Sequence, residues 1–327
     1  GWDIELRMGR NLQPDMEKYR KWTSPLAGDP ARGVADVLWS PNPDILPVNM
    51  PVVATIHDIN PLLPDDRMAI VRLWRGIRCR HRIDRTLRNA SAVSTDSEYS
   101  KSLIAGEFPH GADKLAVVPL FVDSGLGPVG GAVLSRQLSE MGLSSGYILF
   151  VGSLRRHKNW DGLMRAFAML PERLRKDHHL VLGGPVHRDQ DNADRLASLL
   201  GITGAVHVLG TVPDDALSSL YSGAGVFAFP SFLEGFGLPP LEAMACGIPV
   251  VATDRTCVPE ILGDAPLYVN PADLGSLAEA MQTVLEDAKI RAELIEAGLR
   301  RVRQFNPLRT GIAMKQVLAS LLINAVC

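Results

Sequence analysis

The sequence predicts an α/β protein of two domains, each built on a parallel sheet. Three observations carry this. Short apolar runs alternate with longer stretches of helical periodicity, as at 92–95 followed by 98–108 and at 147–151 followed by 160–170. Strands separated by helices in this way form parallel βαβ units. The chain has 327 residues, enough for two sizeable cores. Finally, the turn-like run Gly125–Gly131 breaks the alternation and marks the start of a linker. The expected domains are 1–143 and 144–308, with 309–327 a helix returning toward the first domain.

In chain order, 10–32 is polar, rich in Pro and Gly, and reads as loop. Val37-Leu38-Trp39 is a strand ended by Ser40-Pro41-Asn42-Pro43, and Pro51 to Ile56 is a buried strand ending at His57-Asp58. An arginine-rich helix follows from Ile70 to Leu87. Ala92 to Thr95 is a strand, after which Ser97 caps a helix from Glu98. Leu115 to Pro119 is the last strand of this half. The second half opens with strand Tyr147–Val151 and the basic loop Gly152-Ser-Leu-Arg-Arg-His-Lys158. Asn159 is the expected N-cap of helix 160–170. Strands at 180–183 and 206–209 and helices at 192–200 and 214–222 lead into the central unit. Beyond it come a helical turn at 259–262, a strand at 267–269, and helices at 273–286, 288–304 and 310–323.

The central unit is Phe229-Pro-Ser-Phe-Leu-Glu-Gly-Phe-Gly-Leu-Pro-Pro-Leu-Glu-Ala-Met-Ala-Cys-Gly-Ile-Pro-Val-Val-Ala-Thr253. It reads as strand, glycine loop, short helix, strand. Gly235 and Gly237 let backbone approach a ligand. Pro239-Pro240 opens the helix, where a missing N–H costs little, and Gly247 closes it. Such a unit leaves its loop and helix N-terminus at the carboxyl edge of a parallel sheet, where open α/β sheets bind ligands. Glu234 on the loop and Glu242, expected in the helix's first turn, are good acceptors for hydroxyls. They are read as holding a sugar and a ribose, while backbone N–H groups and the helix dipole take the anionic part of the ligand. The bland alternative is a dipole-complementing Glu242 and a solvated Glu234.

Composition narrows the class. The chain is 46% hydrophobic and 21% charged with a net charge of −2, which gives no footprint for nucleic-acid binding. Cys79, Cys246, Cys257 and Cys327 show no C-x-x-C spacing. Cys246 and Cys257 sit beside apolar strands and read as buried thiols of a reducing compartment rather than zinc ligands. No run approaches the roughly 20 apolar residues of a membrane span, and no signal peptide is visible. A cytoplasmic protein is expected. The arginines between 72 and 88 read as a solvated face or as a peripheral contact for an anionic membrane.

The stretch Glu234-Gly-Phe-Gly-Leu-Pro-Pro-Leu-Glu242 resembles the E-x7-E signature of retaining GT-B glycosyltransferases of family 4, in the subgroup of mannosyltransferase-B-like enzymes. The resemblance runs from about Val34 to the C-terminus and is strongest in the second half. It implies two Rossmann-like β/α/β domains facing a cleft. It also implies a first strand and glycine-rich loop that do not precede Asp36, so that the N-terminal domain is expected to be incomplete in this chain. The donor implied is a nucleoside-diphosphate sugar, and the resemblance favours GDP-mannose. The acceptor would be a carbohydrate, a lipid-linked or a small-molecule hydroxyl. No cofactor and no obligatory metal are implied.

The resemblance also distributes roles. Lys158 is implied at the diphosphate, to which Lys and Arg are suited. Many relatives carry an arginine just after the strand's glycine, where Ser153 stands here, so Arg155 and Arg156 become candidates for a second cation. Gly152, Ser153, Gly235, Phe236, Gly237 and Leu238 join Glu234 and Glu242 around the donor, the amides of 236–238 holding sugar hydroxyls with Glu234. His57 is implied at the donor sugar; its structural alternative is a hydrogen bond to loop backbone. Asp58 and Ser97 are candidates on the acceptor side, though a turn and an N-cap account for them without function. Glu260, after Pro259, reads as first-turn helix chemistry. The expected catalytic set is Glu234, His57 and Lys158, and the reaction is hexosyl transfer with retention. A non-catalytic sugar-nucleotide-binding subunit and a sugar-nucleotide epimerase share the architecture. A dinucleotide enzyme is disfavoured, because no G-x-G-x-x-G follows a strand with an acidic residue about 20 residues on.

Overall fold

A computed structural model describes residues 36–45, 49–62, 69–185 and 190–323. The polar stretch 10–32 lies outside them. Two parallel sheets divide the chain. The first contains β1 (Leu38–Ser40), β2 (Val52–Thr55), β3 (Ala92–Thr95) and β4 (Leu115–Val117), in spatial order β1-β2-β3-β4. Helices α1 (Ala69–Asn89) and α2 (Glu98–Glu107) connect β2 to β3 and β3 to β4.

The second sheet contains β5 (Tyr147–Val151), β6 (Leu180–Gly183), β7 (Val206–Gly210), β8 (Ala224–Phe229), β9 (Val250–Thr253) and β10 (Leu267–Val269). Its order is β10-β9-β8-β5-β6-β7. The chain winds outward from β5 to β7, then returns to place β8 on the other side of β5. The switch point therefore lies between β5 and β8, paired at Ile148↔Val226 and Leu149↔Phe227. Open α/β sheets bind ligands outside the strand ends at such a point.

Side chains alternate across these strands and so build two cores per sheet. On β8, Phe227 and Phe229 face one layer with α7 (Asp214–Ser222), α8 (Leu238–Ala245) and α9 (Val258–Leu262). Val226 and Ala228 face the other, packed on α4 (Trp160–Met169) and α10 (Leu274–Glu286). Both faces are covered, which is why these strands read as unbroken apolar runs rather than alternating ones. In the first sheet, Ala54 and Val93 pack with Ile83 and Leu87 of α1 and Ile104 of α2. The opposite face, with Val53 and Ala92, is covered by Val317 of the last helix, Pro307–Ile323.

Two short helices lie where none is expected from the sequence, α3 (Gly131–Glu140) and α5 (Glu172–Asp177). The first opens at Gly131, with φ 61°, so its leading glycines read as linker. Two assignments at helix starts need correction. Asn159 stands before α4 but makes no side-chain cap. It adopts the left-handed conformation (φ 57°), and its amide donates to the carbonyls of Pro230 (3.1 Å) and Pro271 (2.8 Å). That buried side chain ties the basic loop to the segments just past β8 and β10. Glu242 does not lie in the first turn of α8, which begins at Leu238 and has no acidic residue in that turn.

Candidate active site

Because β5 and β8 are neighbours, the loops that leave their carboxyl ends meet. Lys158, closing the 3-10 turn Arg156–Lys158, reaches Glu234 on the β8 loop; its Nζ donates to both carboxylate oxygens at 2.7 and 2.8 Å. The pair is well shielded, with side chains 19% and 7% exposed. Lys158 also stands 5.8 Å from the centre of the Phe229 ring. Gly152 and Ser153 lie at the mouth of β5, half-buried, and Arg155 and Arg156 are exposed on the same loop. The glycine just past β6 is required by crowding. A Cβ on Gly184, at φ +126°, would lie 2.4 Å from the Gly152 carbonyl oxygen.

Beyond Glu234 the chain turns at Gly237, whose φ of 92° is left-handed, the region in which glycine carries no Cβ penalty. Gly235, Phe236 and Gly237 are buried and Leu238 is half-buried, so the loop feeds the N-terminus of α8 from within the fold. Glu242, one turn further, accepts a hydrogen bond from the Tyr221 hydroxyl at 2.6 Å. Tyr221, at the end of α7, is fully buried. Burial pushes the Glu242 carboxyl above its ordinary range, the Tyr221 hydrogen bond opposing it. The two glutamates thus face different partners, a cation and a neutral phenol.

The first sheet brings a second group to the site by the same logic. β2 and β3 are adjacent and parallel, so the residues just past their ends come together. His57 Nδ1 lies 2.8 Å from Asp96 Oδ2, and its Nε2 lies 3.2 Å from the Pro41 carbonyl oxygen. Both neighbours are acceptors, so an imidazole serving both carries two protons. Its pKa is accordingly raised, first by the hydrogen bond to Asp96, while desolvation opposes. Asp58 accepts from the Asn60 amide at 2.9 Å, a local turn contact. Ser97 caps α2 by accepting from Ser100 N at 3.1 Å.

The two edges touch. Ser97 Oγ donates to the Gly235 carbonyl at 2.8 Å, and Ser100 Oγ to the same oxygen at 3.1 Å. A Cβ on Gly235 would stand 2.8 Å from the Asp58 Cβ and 3.0 Å from the His57 carbonyl oxygen. Ser97, a candidate for the acceptor, thus has its hydroxyl buried and committed within the chain. Glu260 is in the first turn of α9, but its carboxylate serves another helix, accepting from Glu98 N at 2.8 Å and Tyr99 N at 3.0 Å.

The structure therefore adds Asp96, Ser100 and Tyr221 to the residues read from sequence, and gives Glu260 a contact outside its own helix. Asp96 was within reach, since it follows β3 as His57 follows β2. Tyr221 lies inside an amphipathic helix and carries no local signal. Among the described residues, no group of three His, Cys, Asp or Glu side chains could hold a metal, and no helix is long and apolar enough to cross a membrane.

This two-sheet architecture is the GT-B fold. Sucrose-phosphate synthase from Thermosynechococcus elongatus superposes with a TM-score of 0.74 at 22% identity, over 88% of this chain and 74% of that one. Anabaena HepE, in complex with UDP and glucose, superposes with a TM-score of 0.69 at 23% identity, over 83% and 72%. Residues 139–301 match the family described as Glycosyl transferases group 1, and that part of the chain belongs to it. It is 33% identical over 260 residues to the O-antigen chain mannosyltransferase B of Escherichia coli, a match of 78% of this chain and 66% of that protein's length.

Proposed function

We propose that the protein is a glycosyltransferase that moves a hexose, with mannose the leading candidate, from a nucleoside-diphosphate sugar to a hydroxyl acceptor. The observation that carries this reading is the Lys158–Glu234 pair at the switch point between β5 and β8, followed by Glu242 on the helix behind it. Likeness to an O-antigen mannosyltransferase favours a mannosyl donor and a polysaccharide-type acceptor. A UDP-bound structural neighbour keeps the uridine nucleotides in the test.

In this reading the donor lies on the second sheet. Its diphosphate takes Lys158 from Glu234, with Arg155 or Arg156 as the second cation and the N-terminus of α8 adding its dipole. Preorganised charge of this kind, aimed at the leaving group, is usually the largest single contribution to catalysis. Glu242 accepts from the ribose. Glu234, freed toward the sugar, holds hydroxyls with the amides of Phe236, Gly237 and Leu238. His57, held by Asp96, approaches the sugar from the first domain, and Asp58 borders the acceptor's entry. Two carboxyls flanking the anomeric carbon would be needed for the covalent retaining route. Glu242 turns to Tyr221 instead, so a same-face transfer is proposed, in which the leaving phosphate takes the acceptor's proton.

The test is a thermal-shift series with UDP, GDP, ADP and dTDP and their sugars, on wild type and Lys158→Ala. Binding raises the melting temperature by mass action. A rise with one nucleotide family, lost in Lys158→Ala, supports the site; no rise with any of them removes it. Product anomeric configuration then decides retention, and an inverted product rejects same-face transfer. Undiminished turnover in EDTA is expected of a site that relies on Lys158 for charge. Donor turnover itself separates an enzyme from a binding subunit.

A further inference from the structure

Glu260 stands on α9, behind β9 in the second sheet, yet its carboxylate leaves its own helix. Both oxygens accept backbone amides of the first domain, Glu98 N at 2.8 Å and Tyr99 N at 3.0 Å. These are the first residues of α2, and the first amides of a helix have no partner within it. A negative charge there also complements the helix dipole. α2 is thus capped from two domains at once, by its own Ser97 on Ser100 N and by Glu260 across the cleft.

The capped turn is the one that grips the donor loop. Ser97 and Ser100 both donate to the carbonyl of Gly235, the residue after Glu234. Gly235 is pressed so closely on His57 and Asp58 that a Cβ there would not fit. On its own side Glu260 is anchored through the backbone. Arg301 Nη2 donates to the Glu260 carbonyl at 2.6 Å and Nε to that of Ile261 at 2.7 Å. The Arg301 guanidinium lies over Phe305, which meets Phe236 edge-on. The carboxylate itself is at the exposed rim of the contact, where water can replace the amides when the domains part.

We propose that Glu260 is a positioning residue: by capping α2 across the cleft it seats Gly235 on Ser97 and Ser100, which fixes Glu234 at the donor and excludes water from the sugar. The inference rests on the donor site proposed above. It concerns how that site is closed, not what it binds. Nucleotide contacts lie on the second sheet, so loss of the cap should spare nucleotide affinity and damage the chemical step. Water admitted to an open site competes with the acceptor.

The test uses the full chain with Glu260→Ala, Glu260→Gln and Ser100→Ala. In Glu260→Ala, the amides of Glu98 and Tyr99 should exchange with deuterium about 10-fold faster or more, the scale expected when hydrogen bonds to a charged group are lost. GDP and UDP dissociation constants should stay within about 2-fold of wild type, while kcat falls roughly 10-fold and the ratio of donor hydrolysis to transfer rises. Glu260→Gln keeps one carbonyl acceptor and should fall between. Ser100→Ala leaves the Glu260 cap in place, so it should lower kcat without speeding exchange at 98 and 99. Unchanged exchange in Glu260→Ala overturns the cross-domain cap. Faster exchange with wild-type kcat and hydrolysis ratio overturns the positioning role. Exchange needs no ligand, so a wild type that binds neither nucleotide rejects the donor site while this arm still reports on the cap.

Discussion

Glu234 and Glu242 belong to one motif, yet the fold gives them opposite surroundings. Glu234 is on a loop at the switch point, buried and doubly bonded to Lys158. Glu242 is on α8, half-buried, with one oxygen on the phenol of Tyr221 and its carboxyl pushed up by burial. The contrast teaches that equal residues at a fixed spacing can be built for unequal work. A carboxylate paired with a cation is released when an anion takes the cation. One fixed by a buried phenol has one oxygen held and offers the other to a ligand.

The comparison breaks most sharply at Lys158. Lys158→Ala strands Glu234 as a buried charge, which should cost about 3 kcal/mol of stability by denaturant titration. It should also lower turnover by about 10²–10³-fold. If stability falls and turnover does not, the pair is a structural ion pair and the donor reading of Lys158 fails. Glu242→Gln should act on the other side of the contrast. Donor KM is expected to rise roughly 10-fold with a smaller change in kcat, the loss of a charged hydrogen-bond acceptor being worth about 1.5–3 kcal/mol. Equal losses in kcat and kcat/KM would move Glu242 from binding to the chemical step.

Tyr221→Phe sharpens the contrast through pH. The phenol lowers the Glu242 pKa against the burial that raises it, so its removal moves that pKa up. Donor affinity should then fade at a higher pH on the acid side than in wild type. Stability follows the same group: because the folded carboxyl holds its proton more tightly than the unfolded one, its contribution is fully present at low pH and is lost as pH rises through the folded value. An acid limb that stays in place would show that Glu242 does not titrate in donor binding. The smallest effect is expected at Asp96. Asp96→Asn removes the main cause that raises His57, so the basic limb of activity should move to lower pH. In wild type the His57–Asp96 contribution to stability is present below the ordinary histidine value and is lost as pH rises through the raised one. A limb that does not move would separate His57 protonation from activity.

Most strands and the glycine-bounded helix of the central unit were legible, because buried parallel strands are short apolar runs and Gly247, at φ 75°, ends its helix as a left-handed residue does. The N-cap of α2 at Ser97 was legible for the same local reason. The role of Asn159 was not, since its amide answers carbonyls at Pro230 and Pro271 that lie far along the chain. Glu260 looked like helix-start chemistry because sequence shows which helix a residue starts, not which other helix stands opposite.

By itself the sequence determined the α/β alternation and the placing of Glu234 on the loop after a buried strand, with Glu242 on the helix that follows. Periodicity and turn chemistry are local, and they report the face and the terminus a residue occupies. The tertiary structure alone decided that Lys158 meets Glu234 across 76 residues and that Glu260 meets Glu98 across 162. The return of β8 to the side of β5, and the contact of one sheet's loops with the other's, bring together residues that no local pattern relates.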